Sequence, residues 1–467
     1  MPQKPDLDAK YYFHQGLQLA HACAYEDAIL SFDRSLQYNP TWHEPWYHKG
    51  MAQCELGLYA DAVDSFTQAI DLYSDYPEAF NSRGIALFKL GSYEAAIASY
   101  DKAIKLRPSF HQAWFNRGNA LDKSGCYQAA LDSYDKSLAI EPDYSKSWYN
   151  RGITLTKLDR LDEAIASYDK AIEFRPHYSH AWYNRANILH RQKLYNEALE
   201  SYERVVNIKS DWYGAWYNLG NILHKLGRHE DSINCYDYAL KVAPNFYGAW
   251  YNRGNALDAL GRYDEAVESY QAALAIKPNL REAWYNWGST LHKAGRYEEA
   301  IASYDQAIQL DPKFAKAWSS RGSALRKLGM YAEAITSYDR AVQHQPGLYE
   351  AWYGRGICLG HIGRNEAAVA SYDRALAIKT DFYPAWYSRG VSLSHLGNYE
   401  AAITSYEQAL QIKPNFPEAI SRRNLALNYT SPPELDTDRD DEQTPGLELM
   451  PDSADVSESS IAESLNP

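Results

Sequence analysis

Residues 247–280 have the sequence "YGAWYNRGNALDALGRYDEAVESYQAALAIKPNL". Apolar residues recur at helical spacing on both sides of a Gly-Arg pair at 261–262, which predicts two helices joined by a short turn. Trp250 and Gly254 fall on the same face of the first helix, since they are four residues apart. Pro278 marks the end of the second helix. The stretch therefore predicts one helix–turn–helix unit.

This pattern recurs every 34 residues along the chain. Twelve units cover residues 9–416 without insertion or deletion, and positions within a unit are counted below from 1 to 34. Self-similarity at a fixed period of this length is typical of a solenoid. The rest of the chain comprises a lead at 1–8, a candidate capping helix at 417–429 and an acidic tail at 430–467. Position 4 is tryptophan in nine consecutive units, Trp114, Trp148, Trp182, Trp216, Trp250, Trp284, Trp318, Trp352 and Trp386.

Small residues at positions 8, 20 and 27 would let the two helices of a unit approach closely, with an aromatic residue at position 24 filling the space between them. The pattern W-x2-[LR]-G-x2-L, then A-x3-[FY]-x2-A and a closing proline, resembles the tetratricopeptide repeat. This resemblance implies an all-α fold, a right-handed superhelical solenoid of twelve 34-residue helix–turn–helix repeats with a C-terminal capping helix. It further implies that the first helices line a concave inner groove.

Charge and composition exclude several classes of protein. The formal net charge is -13, and most of it comes from the tail, which holds eleven acidic residues and one arginine. The repeats are therefore close to neutral, which disfavours nucleic-acid binding. We expect the tail to be disordered, because it combines high charge with few large apolar residues. Five scattered cysteines, no secretory leader and no long apolar run predict a cytoplasmic protein without a membrane span.

An enzymatic function is not expected. The repeats, cap and tail account for the whole sequence, and no Gly-rich phosphate loop, HExxH or GxSxG occurs in it. His190, His224 and His292 share position 12, but side chains one unit apart are poorly placed to converge on one ion. We therefore predict no cofactor and no metal site.

A row of asparagines and tyrosines forms the first candidate binding site. Positions 5, 6 and 9 lie opposite the core-facing stripe of the first helix, and in this family that face lines the groove. An amide offers both a donor and an acceptor, which suits the backbone of an extended peptide. The row resembles the asparagine ladder of the O-GlcNAc transferase repeat domain. Its members are Asn116, Asn150, Asn184, Asn218, Asn252 and Asn286 at position 6, Asn119, Asn187, Asn221 and Asn255 at position 9, and Tyr149, Tyr183, Tyr217, Tyr251 and Tyr285 at position 5.

This row, called the asparagine ladder below, also has a purely structural explanation. The Tyr-Asn pair could merely bridge adjacent helices and have been copied as the unit was amplified. The concentration of asparagine in units 4–9, while the scaffold residues persist to unit 12, favours a binding role.

Position 13 carries a basic strip, which predicts a groove that prefers acidic segments, the acidic tail of the same chain among them. The alternative is a set of solvated helix ends, because lysine near a helix C-terminus complements the helix dipole. The candidate binding residues of the strip are Lys123, Lys157, Lys225 and Lys293, with Lys89, Arg191 and Lys327 continuing it.

These patterns predict a non-enzymatic scaffold that binds extended or disordered protein segments, as an adaptor or in complex assembly. The alternative is a regulatory or substrate-recruiting subunit of an enzyme encoded on a separate chain, such as a glycosyltransferase. The sequence defines neither the partner nor the oligomeric state.

The arginines at position 7 have a structural explanation. Most units place arginine there and aspartate at position 25, and where Gln271 replaces the aspartate, Trp287 replaces the arginine of the next unit. This covariation predicts an ion pair between neighbouring repeats.

Overall fold

The computed structural model describes residues 4–430. Within that range the chain forms twenty-five α-helices, which pair into twelve helix–turn–helix repeats followed by one further helix. The all-α repeat architecture predicted from the sequence is confirmed. The prediction of a disordered acidic tail concerns residues that, apart from Thr430, lie outside the described part of the chain.

The chain divides into two units between Leu226 and Gly227. The first unit contains α1 (Lys4–His21), α2 (Tyr25–Tyr38), α3 (His43–Glu55), α4 (Tyr59–Leu72), α5 (Pro77–Lys89), α6 (Tyr93–Leu106), α7 (His111–Lys123), α8 (Tyr127–Ile140), α9 (Ser145–Lys157), α10 (Leu161–Phe174), α11 (Ser179–Arg191), α12 (Tyr195–Ile208) and α13 (Tyr213–Lys225). The second contains α14 (His229–Val242), α15 (Tyr247–Ala259), α16 (Tyr263–Ile276), α17 (Arg281–Lys293), α18 (Tyr297–Leu310), α19 (Ala315–Lys327), α20 (Tyr331–His344), α21 (Tyr349–His361), α22 (Asn365–Ile378), α23 (Tyr383–His395), α24 (Tyr399–Ile412) and α25 (Pro417–Thr430).

The turn inside each repeat depends on one residue with positive φ. Gly125 has φ 78° at this place, and glycine occupies the equivalent position in nine repeats. The remaining three repeats use Cys23, Asp159 and Lys193, with φ between 60° and 63°. Glycine adopts this conformation without steric cost, which explains its prevalence here.

The core of a repeat is an aromatic ring packed on a glycine. Tyr270 is buried against the first helix of its repeat, and a Cβ added to Gly254 would lie 2.7 Å from its Cε1 atom. Any side chain at Gly254 would therefore displace the ring, as the sequence pattern predicted. In the sixth repeat Ala186 takes the place of the glycine, and Tyr202 is still fully buried.

Where position 4 is tryptophan, its side chain joins the repeat to the one before it. The indole Nε1 of Trp148 donates to the carbonyl oxygen of Pro142 at 2.8 Å. Trp386 makes the same bond, at 2.9 Å, to Thr380, which replaces the closing proline. The turn between repeats thus persists without the proline.

The predicted arginine–aspartate pairs are confirmed. The Nε atom of Arg151 lies 2.8 Å from Oδ1 of Asp135 in the preceding repeat. Where the pair is replaced, Trp287 stacks on Trp284 with ring centroids 5.1 Å apart. The pairs of the described repeats are Arg117–Asp101, Arg151–Asp135, Arg185–Asp169, Arg253–Asp237, Arg321–Asp305, Arg355–Asp339 and Arg389–Asp373.

Candidate functional site

The first helices of neighbouring repeats contact each other along one side of each unit. In the first unit α5 contacts both α3 and α7, and in the second α17 contacts both α15 and α19. The asparagine ladder lies on these helices. Four of its position-6 asparagines belong to the first unit (Asn116, Asn150, Asn184 and Asn218) and two to the second (Asn252 and Asn286).

The amide nitrogens of the ladder are held by the preceding repeat. Nδ2 of Asn184 donates to the hydroxyl of Tyr149 at 3.3 Å, and Nδ2 of Asn218 donates to the hydroxyl of Tyr183 at 3.0 Å. In the second unit, Asn286 donates to Tyr251 at 2.9 Å. The tyrosine and asparagine of the repeated pair therefore meet across a repeat boundary, not within one repeat.

Asparagines at positions 6 and 9 also meet across repeats. Nδ2 of Asn150 donates to Oδ1 of Asn119 at 2.7 Å, and that oxygen accepts a second bond from the hydroxyl of Tyr134 at 2.9 Å. Asn255 accepts from Tyr270 at 2.8 Å in the same way. The position-9 amides thus satisfy hydroxyl groups of buried core tyrosines. Asn187, also at position 9, accepts from the hydroxyl of Tyr202 in the same way. Asn221 occupies position 9 of the next repeat and is half-buried on α13.

The carbonyl oxygens of the position-6 amides behave differently from their nitrogens. These side chains are half-buried, and within residues 4–430 no hydrogen bond reaches Oδ1 of five of them. The five are Asn116, Asn150, Asn184, Asn218 and Asn286. An amide whose nitrogen is anchored presents its oxygen in a fixed direction, which is the condition for a preorganised acceptor.

The position-5 tyrosines are half-buried. Besides the hydrogen bonds of their hydroxyls, their rings pack against other aromatic side chains. The ring of Tyr183 stacks on Trp212 with centroids 4.5 Å apart, and Tyr285 lies 5.1 Å from Phe314. Burial raises the pKa of Tyr183 and Tyr285 above the ordinary tyrosine value. Much of each ring is therefore used inside the scaffold, while Tyr217 and Tyr251 occupy the same half-buried position.

The basic strip is partly neutralised by acidic side chains that the sequence analysis did not identify. Nζ of Lys157 lies 2.5 Å from Asp122 of the preceding repeat, whose other oxygen accepts from Thr154 at 2.7 Å. The same arrangement, Lys293 and Thr290 on Asp258, recurs in the second unit. A signal was available in the sequence, because aspartate at position 12 precedes threonine at 10 and lysine at 13 of the next unit in both cases.

Two other lysines of the basic strip are not held in this way by any aspartate that the structure describes. Lys225 lies over the ring of Tyr195 at 5.7 Å, a cation–π contact with the preceding repeat. Lys123 is exposed and forms no ion pair with any residue between 4 and 430. The strip is thus a mixture of helix-bridging and solvated cations.

Neither a metal site nor a membrane span is found in the part of the chain that the structure describes. Between residues 4 and 430 no three His, Cys, Asp or Glu side chains are arranged to hold a metal ion. Over the same range no helix has the length and apolar character needed to cross a membrane.

Comparisons with known proteins identify the repeats. Family models described as "Tetratricopeptide repeat" or "TPR repeat" match residues 43–76, 86–125, 111–144, 145–178, 167–200, 187–227, 217–280, 288–329, 320–384 and 383–416. No curated protein matches the sequence.

Among solved structures, the chain is similar to YrrB, described as "a TPR protein with an unusual peptide-binding site". The identity is 22%, covering 40% of this chain and 97% of that one, with a TM-score of 0.37. Cut9–Hcn1, an APC/C hetero-tetramer, is 15% identical over 91% and 97% of the two chains, with a TM-score of 0.42. Yeast Tom70 is 16% identical over 91% and 96%, with a TM-score of 0.36. The family models match most of the repeats, and the chain belongs to the tetratricopeptide repeat family.

Proposed function

We propose that this protein is a non-catalytic scaffold whose first helices bind extended or disordered segments of partner proteins. Stacked repeats provide long surfaces of the kind that protein-interaction scaffolds use. The family membership supports a scaffold in general, and the residues of the asparagine ladder support a peptide as the ligand.

The observation that carries the proposal is the row of unpaired amide oxygens. The nitrogens of Asn150, Asn184 and Asn218 are anchored by the preceding repeat, whereas their oxygens accept no hydrogen bond within residues 4–430. Backbone N–H groups of an extended chain are donors that such oxygens can accept. Because every residue except proline has this N–H, a row of acceptors binds a segment with little regard to its sequence.

The basic strip supports a preference for acidic segments. Lys123 is exposed and forms no ion pair with any residue between 4 and 430, and Lys225 lies over the ring of Tyr195. The acidic segment could belong to a partner or to residues 431–467 of the same chain. We propose no nucleic-acid ligand, because the repeats are close to neutral in charge.

The test is a selection of random dodecapeptides displayed on phage against the immobilised full-length protein, followed by titration of the selected peptides. We expect peptides that bind wild type and lose affinity when Asn150, Asn184 and Asn218 are changed together to alanine. The control is Asn207→Ala, an exposed asparagine of α12, a second helix. A selection that yields no peptide, or peptides equally sensitive to both changes, would overturn the proposal.

A further inference from the structure

One cavity lies on the surface formed by the first helices of repeats 5 and 6. It encloses about 280 Å³ within the first unit. Pockets that hold drug-sized ligands have volumes of roughly 300–1,000 Å³, so this cavity suits a single side chain. Its lining comprises Ile153, Thr156, Lys157, Tyr168, Asn184, Asn187, Ile188 and Arg191.

The cavity exists where the amide row is interrupted. Position 9 is asparagine in the repeats on both sides, at Asn119 and Asn187, but isoleucine at Ile153. Ile153 packs on a core cluster that also contains Ile188 and Tyr168, both almost fully buried. The inner wall is therefore apolar, whereas the position-9 residues of the two neighbouring repeats are amides.

The mouth of the cavity is cationic. Lys157 is held by Asp122, a carboxylate that is only 11% exposed, so the lysine is fixed in place. Arg191 lies 2.8 Å from Asp159, and the two side chains are 61% and 70% exposed. An exposed pair of this kind contributes little, about 0–1 kcal/mol, so a ligand carboxylate can replace Asp159 as the partner of Arg191.

We propose that this cavity binds one large aliphatic side chain of the peptide and that Arg191 pairs with an acidic residue next to it. The inference rests on the proposed function and adds sequence selectivity to it. The amide oxygens hold the backbone of any extended segment, and the cavity selects segments with an aliphatic residue beside an acidic one. Ile153 is the residue that determines this selectivity, because it replaces an amide with an apolar wall.

The test uses the phage-displayed dodecapeptide library on the full-length protein and on Ile153→Asn, which restores the amide row. Wild type should enrich peptides with Leu, Ile or Met next to Asp or Glu. Changing that aliphatic residue to Ala in a selected peptide should weaken binding to wild type at least tenfold, because a buried aliphatic side chain contributes about 1.5–3 kcal/mol. With Ile153→Asn the same change should alter the affinity less than threefold.

The matched control is Ile357→Asn. Ile357 also occupies position 9, is half-buried and packs on the core cluster of its own repeat, but it does not line this cavity. It should keep the aliphatic preference of wild type. Arg191 lies at the exposed mouth of the cavity, so Arg191→Glu leaves the core unchanged. This variant should lose the preference for an acidic residue and keep the preference for an aliphatic one.

The outcomes separate this inference from the function on which it rests. Peptides that depend on the asparagines but show no aliphatic preference would overturn the selectivity and leave the scaffold function standing. Loss of the preference in Ile357→Asn as well would place the selective site elsewhere and overturn the assignment. Absence of any selected peptide would overturn both.

Discussion

The guanidinium of Arg151 connects two repeats and two helices of its own repeat. Its Nε donates to Oδ1 of Asp135 in repeat 4 at 2.8 Å, and its Nη1 donates to Oγ of Ser167 in repeat 5 at 2.7 Å. It also lies 5.8 Å from the centre of the Trp148 ring. The carboxylate is 54% exposed, so water can solvate it when the arginine is absent.

Replacing Arg151 with leucine should therefore cost at most about 1 kcal/mol. Ser167 still donates to the carbonyl oxygen of Glu163 in that variant, so no buried polar group is left unpaired. Arg151→Glu should lower the melting temperature further, because it places a second negative charge beside Asp135. Thermal melts followed by circular dichroism compare the two variants, and equal melting temperatures would contradict a stabilising ion pair.

The core tyrosines should make the fold sensitive to alkali. Burial raises the pKa of Tyr168 and Tyr406 to about 12, against about 10 for tyrosine in an unfolded chain. Folding keeps a proton that the unfolded chain loses, so this stability is fully present below pH 10 and is lost as the pH rises through about 12. The melting temperature should fall over this interval.

Melts of wild type and Tyr168→Phe at increasing pH measure the effect. The variant has one titrating group fewer in its core, so its melting temperature should fall less steeply above pH 10. A wild-type melting temperature that stays constant between pH 10 and 12 would show that the buried hydroxyls do not control alkaline stability.

Much of the fold could be predicted, because the residues that determine it repeat at a fixed interval. Gly254 and Tyr270 recur with the period, and the pairing of Arg151 with Asp135 was visible where Trp287 and Gln271 replace both partners at once. The packing of a repeated unit is determined by residues within that unit and its neighbour, and their pattern is visible in the sequence.

The candidate site could be predicted only in part. Position on the helix predicted that Asn184 lies off the core-facing stripe, but its bond to Tyr149 depends on how neighbouring first helices are aligned, which no single repeat specifies. The contact of Lys157 with Asp122 joins residues 35 positions apart for the same reason. The cavity beside Ile153 lies where the repeats on both sides carry asparagine at position 9, and its walls come from two packed repeats.

Removal of residues 431–467 should strengthen the binding of acidic peptides. We propose that this segment competes for the basic strip, where Lys123 is exposed. The effect should be largest at low salt, since unlike charges are screened over about 10 Å at 0.1 M ionic strength. A variant with the acidic residues of the segment changed to Asn and Gln separates charge from length. Affinities for a selected acidic peptide that are unchanged in both variants at low salt would rule out the competition.

The asparagine ladder allows the sharpest prediction, because binding to a peptide and bridging between helices can be separated. Changing Asn150, Asn184 and Asn218 together to alanine should weaken peptide binding by roughly 1.5–4.5 kcal/mol, tenfold or more, since each lost hydrogen bond contributes about 0.5–1.5 kcal/mol. The melting temperature should fall as well, because each change removes a hydrogen bond between repeats.

The double variant Tyr149→Phe and Tyr183→Phe removes only the bridge. It takes away the hydroxyls that accept from Asn184 and Asn218 but retains both amides. We expect it to lower the melting temperature and to keep most of the affinity for a peptide selected on wild type, whereas the alanine variant loses both. Titrations and melts of the two variants, carried out side by side, decide the role of the amides. If the alanine variant binds the peptide as tightly as wild type while melting earlier, the asparagines serve only to join one helix to the next.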